Sequence, residues 1–278
     1  MKRWFYLKLA YDGTRYGGWQ IQPNSTTVQQ KLEEALAAVA GYRVKTLGSG
    51  RTDAGVHAEC QVAGFSLEHW RPGPECLIPP INRRLPEDIV VRECRDARPG
   101  FHAIRDAVSK RYRYTIRVSR IPNPFTARYE WLFHRKLDVG VMREASQRLI
   151  GTQDFRNFQA LGAPRKSTVR TVTHLEIDSV AVADGQIIQI EIESNGFLYN
   201  MVRKIVGALV LVGAHRAPPD WIQEVLDSPV RESTGQTAPA QGLCLIDVKY
   251  HDACFQFDPL EPASTEESVA ETFEEMEE

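Results

Sequence analysis

The sequence predicts an α+β protein with an antiparallel sheet in each of two halves. Strand-like and helix-like segments are mixed along the chain, strands follow one another as hairpins, and regular strand–helix alternation is absent. A chain of 278 residues exceeds what one compact core usually holds, which favours two domains. We therefore expect an N-terminal domain at residues 1–106, a C-terminal domain at 107–250 and a tail at 251–278.

In the first half, the hydrophobic pattern predicts one long helix and several strands. The hydroxyl of Thr27 is placed to cap the helix, Gln30 has capping-box spacing, and Gly41 ends the helix. The apolar residues that line one face of this helix are Val28, Leu32, Leu36 and Val39. The predicted strands are residues 3–11, 43–47, 60–67 and 89–92, with a proline-rich connection before the last.

The second half repeats this mixture of elements. Ile188, Ile190 and Ile192 alternate with polar residues, which predicts a strand with one solvated face. The other predicted strands are residues 109–118 and 242–250. Helices are predicted at residues 142–149, 201–210 and 220–226. The second of these helices is apolar on two faces, so we expect it to be well buried.

Charge is distributed unevenly along the chain. Residues 1–250 contain all 34 basic side chains and 26 of the 36 acidic ones, a net charge of +8. This charge suits a polyanionic partner, although a slightly basic enzyme has the same composition. Residues 251–278 contain the other ten acidic side chains and no Lys or Arg. Such a run repels itself, so we expect the tail to be disordered.

The composition argues against membrane, secreted and metal-binding classes. The uncharged run at residues 205–214 is about half of the ~20 residues that a membrane span needs. Lys8 interrupts the first apolar stretch too early for a signal peptide. The five cysteines are irregularly spaced, with no Cys-x-x-Cys pair, as is typical of reduced thiols. We expect a cytoplasmic protein with no membrane span and no metal site.

A glycine-rich loop at residues 48–58 is the most unusual segment. Its three glycines within eight residues indicate backbone geometry or close approaches that a side chain would block. Gly50 and Gly55 have the spacing of a Walker loop, but Val56 stands where the lysine is required. Residues 57–59, His-Ala-Glu, match half of the zinc-deaminase signature, and the Pro-Cys-x-x-Cys half is absent. Nucleotide binding and zinc-dependent deamination are therefore disfavoured.

Three other features are candidates for chemistry on RNA. Asp53 is a single carboxylate on this loop, beside Arg51, although a lone loop aspartate is often a turn former. Residues 110–114 interleave cations and aromatic rings on a strand; Tyr112 there suits base stacking, or a solvated edge strand. Arg203 opens an otherwise apolar helix, where it either pairs with an anion or extends into solvent.

Residues 50–57, Gly-Arg-Thr-Asp-Ala-Gly-Val-His, resemble the catalytic loop of the tRNA pseudouridine synthase A family. The resemblance continues in family order over about residues 3–250. The other matching segments are 11–13, 18–20, 28–29, 32–33, 101–103, 111–114, 154–155, 195–197, 201–203, 205–207, Ala240 and 242–243. Ile104 departs from the pattern, because the family usually has an arginine there, and the acidic tail has no family counterpart.

The resemblance implies an isomerase that converts uridine to pseudouridine at positions 38, 39 and 40 of the tRNA anticodon stem-loop. Asp53 would be the nucleophile, and attack on the uracil ring and attack on C1′ of the ribose both stay open. Arg203 would keep Asp53 charged, and Tyr112 would pack against the target base and assist proton removal from C5. Arg51 would enter the stem where the nucleotide has been flipped out.

The same resemblance implies two ferredoxin-like halves that share a continuous antiparallel sheet, with Asp53 in the cleft between them. It also implies a homodimer that binds tRNA across both subunits and needs no metal or organic cofactor. The alternative hypothesis is a non-catalytic RNA-binding or chaperone protein that uses the same basic cleft. Asp53 separates the two hypotheses, because a passive binder gains nothing from an anion that faces phosphate.

Overall fold

The computed structural model describes residues 2–162, 166–230 and 232–256. The strands of this described part are β1 (Lys2–Tyr11), β2 (Leu47–Gly48), β3 (His57–Glu68), β4 (Ile89–Ala97), β5 (Ala107–Ser119), β6 (Trp131–Phe133), β7 (Gly151–Asp154), β8 (Val169–Val182), β9 (Gly185–Ser194) and β10 (Leu243–Tyr250). Its α-helices are α1 (Val28–Ala40), α2 (Ile78–Asn82), α3 (Val139–Ser146), α4 (Met201–Gly213) and α5 (Trp221–Asp227). None of the helices described is both long and apolar enough to cross a bilayer.

The strands form one sheet in the order β4-β1-β3-β10-β5-β9-β8-β7, with β2 beside β3 and β6 beside β5. Most neighbours are antiparallel, and the parallel pairs in the described chain are β3 with β10 and β5 with β6. The predicted α+β class with one continuous, mostly antiparallel sheet is confirmed. The predicted boundary between residues 106 and 107 falls at the start of β5 and stays a prediction, because strands from both sides belong to this sheet.

The junction between the two parts of the sheet is short. β3 pairs with β10 only where His57 lies beside Cys244 and Ala58 lies beside Leu245. β10 pairs with β5 along most of its length, so the last strand belongs mainly to the second half. His57 directly follows residues 49–56, which we call the Asp53 loop. The loop therefore leads into the sheet at the junction.

Helix α1 begins and ends where the sequence predicts. The Thr27 hydroxyl accepts a hydrogen bond of 3.3 Å from the backbone N–H of Gln30. Gly41 ends the helix in the left-handed region, with φ of 82°. The side chain of Gln30 donates to Glu34 at 2.9 Å rather than reaching back toward the cap. Of the two hydrogen bonds of a capping box, the one from the Gln30 backbone to the Thr27 hydroxyl therefore forms, and the Gln30 side chain bonds elsewhere.

The prediction of a strand at residues 43–47 is wrong, because the strand in this region spans only Leu47–Gly48. The backbone N–H of Thr46 donates to Glu33 at 2.8 Å, and its carbonyl accepts from Gln29 at 2.9 Å. The acceptor, Glu33, and the donor, Gln29, are both side chains of α1. The main chain of Thr46 is thus bonded to the helix and is not available to a neighbouring strand.

Four of the described helices and strands, α2, β6, β7 and β8, were not predicted from the sequence. The proline-rich connection contains α2, whose first turn accommodates Pro79 and Pro80 because N–H groups there need no partner within the helix. Strand β8 buries Val172, Leu175 and Ile177. A register shift after Val172 puts its buried residues out of step with a simple two-residue alternation.

Buried apolar side chains of the two halves form one cluster. Helix α1 contacts α2, and α3 contacts both α4 and β8. Most residues of α4 are buried, which confirms the prediction made from its two apolar faces. Arg203, near the start of this helix, is one of its two charged residues.

The cations of residues 110–114 separate onto two faces of β5. Arg111 lies directly opposite Glu193 of β9, and Arg113 lies opposite Glu191. Their Nε atoms donate to these carboxylates at 2.8 Å in each pair. Because side chains alternate along a strand, the face that carries Tyr112 is the opposite one. Arg111 and Arg113 therefore form cross-strand ion pairs.

The first residues of the predicted tail contact the N-terminal half. Residues 252–254 form a single 3₁₀ turn, and the carbonyl of Cys254 accepts from the N–H of Arg98 at 2.9 Å. The ring of Phe255 packs edge-on against Tyr6, with 5.2 Å between centroids. The rest of the predicted tail, residues 257–278, lies outside the described residues.

Candidate active site

The backbone of the Asp53 loop is anchored on both sides of the carboxylate. On one side, the N–H of Trp19 donates to the carbonyl of Thr52 at 3.0 Å. The hydroxyl of Thr52 also shares a buried hydrogen bond of 2.8 Å with that of Tyr11. On the other side, the N–H of Gly55 donates to the carbonyl of Tyr16 at 3.4 Å. Within the loop, the N–H of Val56 donates to the carbonyl of Asp53 at 3.1 Å. Neighbouring segments therefore fix where the Asp53 backbone lies.

Close backbone approaches explain two glycines next to this loop. A Cβ on Gly13 would lie 2.0 Å from the carbonyl oxygen of Val56. A Cβ on Gly18 would lie 2.4 Å from the carbonyl oxygen of Thr52, and its φ of +95° is a conformation that favours glycine. Both glycines let the preceding segment pack directly onto the Asp53 loop.

Arg203 binds Asp53 across the junction of the two halves. Its Nη1 donates to Oδ2 of Asp53 at 3.1 Å and to Oδ1 of Asn200 at 2.7 Å. Its Nε donates to the carbonyl of Ala238 at 2.7 Å. Three oxygen acceptors thus hold the guanidinium in place. The expected pairing of this arginine with an anion is present.

Asn200 is part of this arrangement, and sequence reasoning missed it. It precedes α4 with φ of 59°, in the left-handed region that asparagine tolerates better than most residues. Residues three apart at a helix start lie on the same side of the helix, which lets Asn200 reach Arg203. The Asn-x-x-Arg spacing at the start of the predicted helix was the available signal.

Burial and the arginine have opposite effects on Asp53. The side chains of Asp53 and Arg203 are 24% and 17% exposed. Burial raises the pKa of Asp53 above its usual value, and the charge and hydrogen bond of Arg203 lower it in part. An ionised carboxylate that is partly removed from water and held beside a fixed cation is suited to act as a nucleophile.

Tyr112 lies next to this pair. Its ring meets that of Phe197 edge-on, with 5.2 Å between centroids and an interplanar angle of 87°. Burial raises the pKa of Tyr112 strongly, and the charge of Asp53 raises it further. The hydroxyl therefore stays protonated at neutral pH. Tyr114 does not join it in a stacking surface, because Tyr114 is fully buried and donates to the carbonyl of Pro239 at 2.7 Å.

Arg51 precedes Asp53 by two residues on the same loop. Its side chain is exposed, and no hydrogen bond or ion pair to it is found within the described residues. The structure therefore brings Asp53, Arg203 and Tyr112 together and leaves Arg51 at the surface beside them. Across residues 2–162, 166–230 and 232–256, no group of three or more His, Cys, Asp or Glu side chains is placed to hold a metal ion.

The fold and the site together define an α+β protein with a largely buried carboxylate–arginine pair where its two halves meet. The family described as tRNA pseudouridine synthase matches residues 9–103 and 145–251. tRNA pseudouridine synthase A of Pelobacter propionicus is 44% identical over 245 residues, which cover 88% of this chain and 98% of the relative. Its counterparts in Thermoanaerobacter sp. (strain X514) and Acetivibrio thermocellus are 44% and 41% identical with the same coverage.

The chain therefore belongs to the tRNA pseudouridine synthase family, and it is an isomerase. The resemblance inferred from the loop at residues 50–57 is confirmed.

Proposed function

We propose that this protein converts uridine to pseudouridine at positions 38, 39 and 40 of the tRNA anticodon stem-loop, with Asp53 as the nucleophile. The observation that carries the proposal is the 3.1 Å contact between Asp53 and Arg203 on a rigidly anchored loop. Burial alone would favour the neutral acid, so the arginine is what preserves the nucleophilic form of the carboxylate.

The reaction exchanges one bond for another without net oxidation or reduction. An Asp53 oxygen attacks either the uracil ring or C1′, and the bond between N1 and C1′ breaks. The detached uracil turns so that C5 faces C1′, and a C5–C1′ bond forms as Asp53 is released. C5 then loses its proton to solvent, and N1, freed from C1′, takes up a proton, so the isomerisation leaves the number of protons unchanged. Because the Tyr112 hydroxyl stays protonated, we assign Tyr112 to packing against the base and hydrogen bonding rather than to action as a phenolate base.

A uridine in a stem is not accessible to a carboxylate until it leaves the helix. Flipping costs a few kcal/mol, which contacts to the rest of the tRNA must offset. Arg51 is exposed beside Asp53 and would occupy the space that the base vacates. The net charge of +8 on residues 1–250 favours phosphate contacts that do not depend on base sequence.

The test is tritium release from tRNA that carries [5-³H]uridine, because C5 loses its hydrogen only when the new carbon–carbon bond replaces it. The wild type should release tritium, and Asp53→Ala and Asp53→Asn should release none while their tRNA affinity stays within a few-fold. Asp178→Asn is the matched control, since this aspartate of β8 is 69% exposed. Intact tRNA binding without release by the wild type would favour the non-catalytic RNA-binding alternative.

The modified position is tested with tRNAs that keep one uridine among positions 38, 39 and 40 and carry cytidine at the other two. Each single-uridine tRNA should yield one pseudouridine at the retained site, and a tRNA with three cytidines should yield none there. Modification that persists elsewhere in the three-cytidine tRNA would contradict the anticodon stem-loop assignment.

We also propose a cytoplasmic homodimer, which the family resemblance implies. Light scattering should then give twice the chain mass of 31.4 kDa. A monomeric mass at the concentration where the enzyme is active would reject the dimer.

A further inference from the structure

His57 lies at the end of the Asp53 loop and joins three separate segments of the chain. The residue is 4% exposed and begins β3. Its Nδ1 accepts a hydrogen bond of 3.0 Å from the N–H of Gly13. Its Nε2 lies 2.9 Å from the carbonyl oxygen of Arg128, in the connection between β5 and β6. One imidazole therefore links the segment after β1, the Asp53 loop and the second half.

The partners of His57 define its tautomer. A backbone N–H can only donate, so Nδ1 accepts from Gly13, and a carbonyl can only accept, so Nε2 carries the hydrogen bonded to Arg128. One ring satisfies both bonds at once. No other common side chain supplies an acceptor and a donor at opposite ends of one rigid ring of this size.

The surroundings of His57 hold the same segments together. The hydroxyl of Tyr129 donates to Oδ2 of Asp12 at 3.0 Å, and the Tyr129 ring lies 5.0 Å from the imidazole. Oδ1 of Asp12 accepts from the N–H of Thr14 at 2.9 Å and lies 3.1 Å from Nδ1 of His57. The contact between Gly13 and the Val56 carbonyl lies in the same place.

We propose that His57 is a positioning residue for the nucleophile. Trp19 and Tyr11 hold Thr52 on one side of Asp53, and His57 holds the other end of the loop. Within the described residues, the side-chain hydrogen bond found to the Asp53 carboxylate is the one from Arg203. The orientation of the carboxylate therefore depends on the backbone of the loop. The inference rests on the proposed role of Asp53. Imprecise placement of a reacting group by about 1 Å can cost on the order of 100-fold in rate.

The test compares His57→Ala, His57→Asn and His57→Gln in the tritium-release assay, with kcat and KM measured separately. Asn keeps an acceptor near the position of Nδ1, and Gln keeps a donor near that of Nε2. His57→Ala should lower kcat by about 10- to 100-fold with KM changed less than about threefold. Asn and Gln should each restore part of kcat. His174→Asn is the control, because this histidine lies 38% exposed on β8.

Melting temperatures separate positioning from general destabilisation. Assays are run at least about 15 °C below the lowest melting temperature, and Asn and Gln carry the test if the alanine variant does not fold. Wild-type kcat in the three variants would overturn the inference, as would equal losses in all three with no rescue. An active wild type with an inactive Asp53→Ala variant shows that the proposed function holds even if the inference about His57 fails. An inactive wild type would reject both.

Discussion

Arg203 and Asp53 are 150 residues apart in the chain, and their side chains meet at 3.1 Å across the junction of the two halves. The arginine is held by Asn200 and Ala238 as well, so its charge cannot follow the carboxylate if the loop moves. The ionisation of Asp53 thus depends on the relative placement of the two halves.

Replacement of this arginine tests that dependence. Arg203→Met should lower the rate at neutral pH by at least about tenfold, because the pKa of Asp53 then loses the influence that opposes burial. Since the reaction needs the ionised form, the acidic limb of the pH–rate profile should move to higher pH. Arg156→Met, an exposed arginine paired with Asp154, is the control. A profile that does not move would exclude the pairing as the reason for activity.

The packing of the Asp53 loop onto the segment after β1 can be tested at one glycine. Gly13→Ala would place a Cβ 2.0 Å from the Val56 carbonyl, so the backbone must shift. We expect a loss of about 1–3 kcal/mol in the free energy of unfolding, measured by urea denaturation, and a lower kcat. Gly140→Ala in α3 should cost clearly less, because its Cβ would lie 3.2 Å from a side-chain oxygen of Asp138, which can move by a few tenths of an ångström, and not against a backbone carbonyl. Unchanged stability in Gly13→Ala would contradict the close contact.

The ion pairs of Glu193 predict how stability depends on pH. Burial raises the pKa of Glu193, but hydrogen bonds from Lys249, Ser109 and Arg111 outweigh it and lower the pKa to about 2. A carboxyl with a lowered pKa in the folded state adds stability above its unfolded pKa of about 4.5, and this stability is lost as the pH falls toward 2.

Glu193→Gln should therefore be less stable than the wild type at pH 7, and the difference in urea midpoint should shrink steadily between pH 5 and pH 2. Glu176→Gln changes an exposed carboxylate on β8 and should show no such trend. A difference that is the same at pH 7 and at pH 3 would show that the ion pairs do not account for the loss.

The end of the chain offers a matched pair of truncations. A chain that stops after Gln256 retains the described packing of Phe255 against Tyr6 and should melt within about 2 °C of the full chain. A chain that stops after Tyr250 loses this packing and the bond from Arg98 to Cys254, and it should melt several degrees lower. Differential scanning fluorimetry distinguishes the two. A large fall in the melting temperature of the chain that stops after Gln256 would assign a stabilising role to residues 257–278.

The sequence predicted the elements whose signals are local. The cap at Thr27, the glycine end of α1 and the buried α4 follow from spacing and residue type within one turn or one helix. The segment before β2 was assigned wrongly because side chains of α1, distant in sequence, take the backbone bonds of Thr46. Local propensity contains no information about such a partner.

The candidate site shows the same limit. Asp53 stood out because its loop is unusual in composition, and Arg203 stood out because a cation is rare in an apolar helix. The bridge made by His57 was not foreseeable, because it joins Gly13 to Arg128, which are far apart in sequence. The burial of Tyr114 likewise depends on its bond to Pro239.

The place of β10 in the sheet has a consequence for biosynthesis. The strand that joins β3 to β5 is residues 243–250, which leave the ribosome last among the described strands. Domains begin to fold from the N-terminus as they emerge, so the nascent chain carries two open strand edges until β10 inserts. The pairing of Cys244 with His57 in the sheet forms at the same moment. Catalytic competence should therefore appear abruptly, once residues 243–250 have emerged, rather than growing with chain length.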